Sequence, residues 1–161
     1  MNATMMDRAR EFLSRKRIAV VGVSRDERDF SRMVYRELRQ RGYDLVPVNP
    51  GMKELEGRPC YARLQDVRPP VEGALLLTPP SRTAQAVRDC LEAGIRSVWM
   101  HRGIGPGAAD PEALSLCRAN GIAVVEGLCP FMALPGAGLP HRIHGFFRRH
   151  SLGRATPGRP A

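Results

Sequence analysis

Five short apolar runs punctuate this chain at nearly even intervals, over residues 18–23, 45–48, 73–77, 97–100 and 122–125. Their ends lie roughly 23 to 29 residues apart, the length of a strand plus a crossover helix. None alternates polar with apolar, as expected of strands covered on both faces. The pattern predicts an α/β fold, a Rossmann-like doubly wound parallel sheet of five strands with helices on both faces and right-handed crossovers.

The intervening segments carry helix signals. A helix is expected over about 4–15, before the first strand. Phe30, Met33, Val34 and Leu38 share one face of a second helix that ends near Arg41, with Gly42 as its C′ residue. Ser81 is read as the cap of a third, through Leu91, with Ala84, Val87 and Leu91 inward. Asp110 and Pro111 suit N-cap and N1 of a fourth, closed by Gly121. Residues 61–67 suggest a short helix that Pro69 and Pro70 end.

A chain of 161 residues suits one domain, expected over 1–150. From Ser151 onward Gly, Pro, Ser and Arg dominate, so 151–161 reads as a disordered basic tail. Cys60, Cys90, Cys117 and Cys129 form no C-x-x-C pair and suggest reduced thiols, hence a cytoplasmic protein. Neither a leader-like N-terminus nor a run of 18 apolar residues is seen, which argues against a secreted or membrane-spanning chain.

The net charge of +9 comes from 23 Arg and 2 Lys against 16 acidic residues. Most of that arginine is scattered through the expected helices and reads as solvated surface. No acid follows Glu126, however, while Arg142, Arg148, Arg149, Arg154 and Arg159 do. An interaction module working through this tail is one alternative function. Little aromatic residue interleaves those arginines, so base stacking on a nucleic acid has little support.

In such a sheet, ligands bind outside the carboxyl ends of the strands, where strand order reverses. The first such loop, Gly22-Val23-Ser24-Arg25, has one glycine where a dinucleotide fingerprint has three. It leads to Ser31 and Arg32 at the start of a helix whose free N–H groups favour an anion. Ser24 and Ser31 can donate hydroxyl hydrogen bonds to phosphate, and Arg25, Arg28 or Arg32 charge-assisted ones. The plain alternative is a strand-to-helix turn with solvated arginines. The second loop, with Asn49, Pro50 and Lys53, lacks the acid that holds an NAD ribose. Asp44 precedes its strand and belongs to the opposite rim. Lys53 offers a cation to a ribose-linked phosphate, or is an ordinary surface lysine. An NAD(P)-dependent oxidoreductase is the enzymatic alternative.

The third loop, Thr78-Pro79-Pro80, is stiffened by its prolines and forms a wall suited to a flat ring or a pantetheine chain. The fourth places His101 beside several glycines, where a general acid or base can sit, but no orienting carboxylate adjoins it. A structural or ligand-contacting histidine is the plainer reading. Cys129, after the fifth strand, is either a small buried hydrophobe or a thiol able to form a mixed disulfide with a thiol ligand. His141, His144 and His150 invite a metal reading, but no further ligands adjoin them.

The order of Ile18-Ala-Val-Val-Gly-Val-Ser24, Gly42-Tyr43, Val46-Pro47-Val48-Asn49-Pro50, Leu77-Thr78-Pro79-Pro80, Val98-Trp99-Met100 and Gly127-Leu128-Cys129-Pro130 resembles the small stand-alone CoA-binding proteins. These are similar to the N-terminal CoA-binding domain of the succinyl-CoA synthetase alpha subunit. The resemblance runs from about residue 10 to 149. It implies coenzyme A, or an acyl-CoA, held across the strand ends by a binding module without catalysis of its own. The phosphates would lie near the first loop and following helix, with the loops at 49–53 and 78–80 flanking the adenosine and pantetheine portions. Met33 stands where relatives often carry an arginine, which leaves the phosphate contact to Arg32 or Arg28. The synthetase's second domain has no room here, so its ligase activity is not expected. A homodimer is compatible with the sequence.

Overall fold

The computed structural model describes residues 3–102 and 107–136. Five strands form one parallel sheet: β1 (Arg17–Val21), β2 (Asp44–Val48), and, after a small hairpin of β3 (Glu54–Leu55) with β4 (Arg58–Pro59), β5 (Gly73–Leu76), β6 (Ser97–Met100) and β7 (Ala123–Glu126). Their spatial order is β2-β1-β5-β6-β7, each pair parallel. The chain runs outward from β1 to β2, returns across β1 to β5, then proceeds the other way. The reversal lies between β1 and β5, so the crevice for a ligand opens beyond their carboxyl ends.

Side-chain alternation divides the apolar runs between two cores. Ile18, Val20, Leu45, Leu75, Leu77 and Trp99 face one side. There they meet Ala9 and Phe12 of α1 (Met5–Leu13), Val34, Tyr35 and Leu38 of α2 (Phe30–Gln40), and Phe131 of the short α5 (Pro130–Ala133). Ala19, Val46, Ala74, Leu76, Val98 and Met100 face the other, against Ala84, Val87 and Cys90 of α3 (Pro80–Glu92) and Ala113 and Cys117 of α4 (Pro111–Ala119). Burial on both faces is why these strands read as continuous apolar runs.

Thr4 caps α1 in a reciprocal capping box with Asp7. Asp110 caps α4, with Pro111 at its first position. The cap of α3 differs from expectation: Pro79 is its N-cap, with no side-chain hydrogen bond, and Ser81 lies inside the first turn. Two consecutive prolines already set the entry conformation, and the missing Pro80 N–H is one that a first turn leaves unpaired anyway. The expected helix at 61–67 is a 3₁₀ turn, Leu64–Asp66.

The hairpin was not expected from the sequence. Its turn, Glu56-Gly57, has φ of 48° and 78°, the left-handed pair of a two-residue hairpin turn. It closes the exposed edge of β2. Pro47, which has no N–H to offer a neighbouring strand, accepts from the Tyr61 N–H (3.0 Å), and the Asn49 N–H donates to the Tyr61 carbonyl (2.9 Å). Among the described residues no helix is long and apolar enough to cross a membrane, all four cysteines are free, and no group of three metal-ligating side chains occurs. His141, His144 and His150, and the tail at 151–161, lie outside the described residues.

Candidate functional site

Three loops converge where strand order reverses, and each is tied to another by a specific contact. Gly22 ends β1 with φ of +88°, and its N–H donates to the Val48 carbonyl (3.1 Å). A Cβ built there would lie 3.1 Å from Thr78 Cγ2 and 3.2 Å from the Leu77 backbone. The single glycine therefore brings the first loop against the third. It does so without the further glycines that let a pyrophosphate approach a dinucleotide fingerprint.

Asn49 joins the first loop to the second. Its Nδ2 donates to the Val23 carbonyl (2.9 Å), and its Oδ1 accepts from the Gly51 N–H (2.8 Å), which folds 49–51 into an Asx turn. Arg25 reaches over the same turn: a Cβ on Gly51 would run into its guanidinium. Pro50 and Lys53 are exposed on this rim. Among the described residues the side chains of Arg25 and Lys53 make no hydrogen bond or ion pair.

The structure separates the expected phosphate donors into two groups. Ser31 is buried and engaged locally: its Oγ accepts from the Ser24 N–H (2.9 Å) and donates to Asp29 Oδ1. Asp29 also caps α2, accepting from the Ser31 N–H (2.8 Å). The anion seat expected at the start of α2 thus holds the chain's own carboxylate. Arg32 is 5% exposed and turns away from the crevice. Its Nη2 lies 2.8 Å from Glu56 Oε1, its Nε donates to the same oxygen (3.2 Å), and its Nη1 donates to the Ser24 carbonyl (3.3 Å). It fastens the first loop to the hairpin.

Ser24, by contrast, uses its hydroxyl oxygen among the described residues only as an acceptor, from the Asp26 N–H (3.1 Å), which leaves its proton available to a ligand. Arg25 and Arg28 are exposed on the same loop.

Glu56, Arg36 and Asp29 were not among the residues singled out by sequence. Arg36 Nε lies 2.6 Å from Glu56 Oε1. Burial pushes the Glu56 carboxyl up, but the hydrogen bonds from Arg32 and Arg36 outweigh it and hold the group below its ordinary value. Asp29, directly before an apolar helical pattern, carried a readable cap signal. Asp44 sits at the opposite rim, paired with Arg17 and, at 3.0 Å, with Arg58.

On the third loop, Thr78 is buried and shares a 2.9 Å hydrogen bond with Thr83 Oγ1, which donates onward to the Pro79 carbonyl (3.2 Å). Pro79 is exposed and Pro80 half-buried, forming the wall of the crevice at the start of α3. His101, directly after β6, is half-buried against Phe30, with ring centroids 5.1 Å apart. Burial lowers its pKa to about 4, despite the nearby Asp29 charge, so the ring is neutral at physiological pH. Burial pushes the Cys129 thiol up, away from the thiolate that disulfide exchange needs. The site is a rim of converging loops with a hydroxyl donor, exposed cations and a buried neutral imidazole.

The profile described as CoA binding domain matches residues 16–135, which include every loop just described. The chain belongs to the CoA-binding domain family. This CoA-binding domain is similar to the uncharacterized protein YneT of Bacillus subtilis, at 28% identity over 121 residues, covering 74% of this chain and 87% of that protein. It is also similar to the alpha subunit of the ADP-forming acetate–CoA ligase II of Pyrococcus furiosus, at 27% identity over 88 residues. That match covers 54% of this chain but 19% of the subunit. Among solved structures, a hypothetical protein from Pyrococcus horikoshii OT3 superposes with a TM-score of 0.72 at 31% identity, covering 82% of this chain and 90% of that one.

Proposed function

We propose that this protein binds coenzyme A, free or acylated, across the carboxyl ends of β2, β1, β5 and β6, and serves as a binding module rather than an enzyme. The observation that carries this reading is the pair of exposed cations, Arg25 and Lys53, unpaired among the described residues and on loops that Asn49 holds together. Coenzyme A differs from most adenine nucleotides by a phosphate on its ribose, and a cation beside the β2 loop suits that phosphate better than a free ribose diol. Asn49, not the acid that would take such a diol, follows the end of β2, and Asp44 is engaged with Arg17 and Arg58 at the other rim. The diphosphate would lie over Ser24 and Arg25, with the pantetheine arm running past Thr78, Pro79 and Pro80 toward His101. Family membership from residue 16 to 135 supports the same ligand.

Titration calorimetry with coenzyme A and with dephospho-coenzyme A tests this. A charge-assisted hydrogen bond contributes about 1.5–3 kcal/mol, so the full ligand is expected to bind at least about tenfold tighter. Lys53→Ala should remove much of that preference. Equal affinities in the wild type would end the case for a cationic ribose-phosphate pocket. A change in reduced-nicotinamide fluorescence on mixing would instead favour an oxidoreductase.

A further inference from the structure

His101 is fixed in place by its backbone and left unsatisfied by its side chain. Its N–H donates to the Leu76 carbonyl of β5 (3.2 Å) and its carbonyl accepts from the Ala108 N–H (2.8 Å), so the ladder of β6 extends through it. Its ring leans on Phe30 at an interplanar angle of 32°, and Phe30 meets Phe131 edge to face at 5.7 Å. Both ring nitrogens are closed off from solvent, and neither has a hydrogen-bond partner among the described residues.

A neutral imidazole carries one N–H donor and one acceptor nitrogen. Leaving such a group buried and unmet costs about 1–3 kcal/mol, and a phenylalanine or leucine would fill the same apolar space without that cost. Packing therefore does not account for a histidine here. The orphaned nitrogens stand at the carboxyl end of β6, and the side chains that close them off must part for a ligand group to answer them.

The chemistry of that group follows from the surroundings. A ring pressed among aromatic side chains resists becoming an imidazolium, so it is suited to a neutral partner rather than to phosphate. With a donor on one edge and an acceptor on another, the ring can bond either the carbonyl or the N–H of an amide. Neighbouring strands lie about 4.8 Å apart, so β6 is roughly 10 Å along the rim from the β1 loop. From a diphosphate at that loop, this is the region the pantetheine arm crosses, and amides are the arm's main polar groups.

We propose that His101 hydrogen bonds to an amide of the pantetheine arm and thereby makes the site select the intact coenzyme over nucleotides that lack the arm. This rests on the reading that the site takes coenzyme A. The test compares coenzyme A with 3′-phosphoadenosine 5′-diphosphate, which keeps every phosphate group but has no arm. One good hydrogen bond corresponds to about three- to tenfold in affinity. His101→Leu is expected to weaken coenzyme A binding by that factor and leave the truncated nucleotide within about twofold. His101→Gln, which keeps a donor and an acceptor, should recover most of the loss.

A second measurement uses the wild type alone: the imidazole nitrogen resonances of His101 should shift on adding coenzyme A and stay in place with the truncated nucleotide. Coenzyme A binding unchanged in His101→Leu, equal weakening of both ligands, or resonances that ignore the arm would overturn the proposal while leaving the coenzyme A reading intact. A wild type that binds neither ligand overturns both.

Discussion

Acidification should destabilise this fold through one side chain before any carboxylate contributes. Burial disfavours the charged form of His101 and brings its pKa from the ordinary 6.5 to about 4, with the Asp29 carboxylate pulling weakly the other way. In the unfolded chain the ring titrates at its ordinary value. Between those two values the unfolded state binds more protons, so stability is full at neutral pH and declines as pH falls through this window. A gap of this size corresponds to about 2 kcal/mol between pH 7 and pH 5, and about 3 kcal/mol once both states are protonated.

The carboxylates act lower. Glu56, buried but held down by Arg32 and Arg36, and Asp44, hydrogen bonded by Arg17, stabilise the fold above their unfolded values of 4.5 and 3.8. Their contribution is lost below those values as pH falls through the folded ones, so the interval from pH 7 to 5 isolates histidine. Trp99 is the sole tryptophan, fully buried with its Nε1–H on the Leu128 carbonyl (3.0 Å), and its fluorescence reports urea unfolding. The wild type should lose about 2 kcal/mol between pH 7 and 5, and His101→Phe, which keeps the ring contact but cannot titrate, less than half of that. His141, His144 and His150 are common to both proteins and cancel in the comparison. An equal loss in the two proteins, or a flat wild-type profile, would refute the assignment.

Gly22→Ala should cost about 2 kcal/mol by the same urea assay, since φ of +88° is unfavourable for alanine and the added Cβ meets backbone at 3.2 Å. Coenzyme A binding should weaken with it as the first and third loops separate; an unchanged unfolding midpoint would contradict the close approach. Arg32→Ala and Arg25→Ala should part company. The former removes the inward clamp on Glu56 and should lower stability by about 2–3 kcal/mol, somewhat under a fully buried pair because Arg36 remains. The latter should leave the unfolding midpoint in place and weaken coenzyme A binding by about tenfold or more in calorimetry. The reverse pattern would move the phosphate contact back to Arg32.

The sheet was legible because strands buried on both faces leave continuous apolar runs, and even Pro47 inside β2 is admissible at a sheet edge. The roles of the arginines were not legible, for a physical reason. Arg25, Arg28 and Arg32 are chemically identical and lie within one loop and the next helical turn, so sequence ranks them equally. What separates them is competition for carboxylates brought from elsewhere in the chain. Glu56 arrives on a hairpin whose two-residue strands are too short to show any periodicity. Once there, it takes Arg32 and Arg36, while Asp44 takes Arg17 and Arg58, and Arg25 and Arg28 stay exposed on the first loop. His101 is the converse case. Its significance lies in the absence of any partner for its ring nitrogens among the described residues, and a sequence names neighbours along the chain but cannot show that a buried nitrogen has none across it. In a chain with this excess of arginine, a phosphate site is therefore identified less by where cations occur than by which of them the acids leave unpaired.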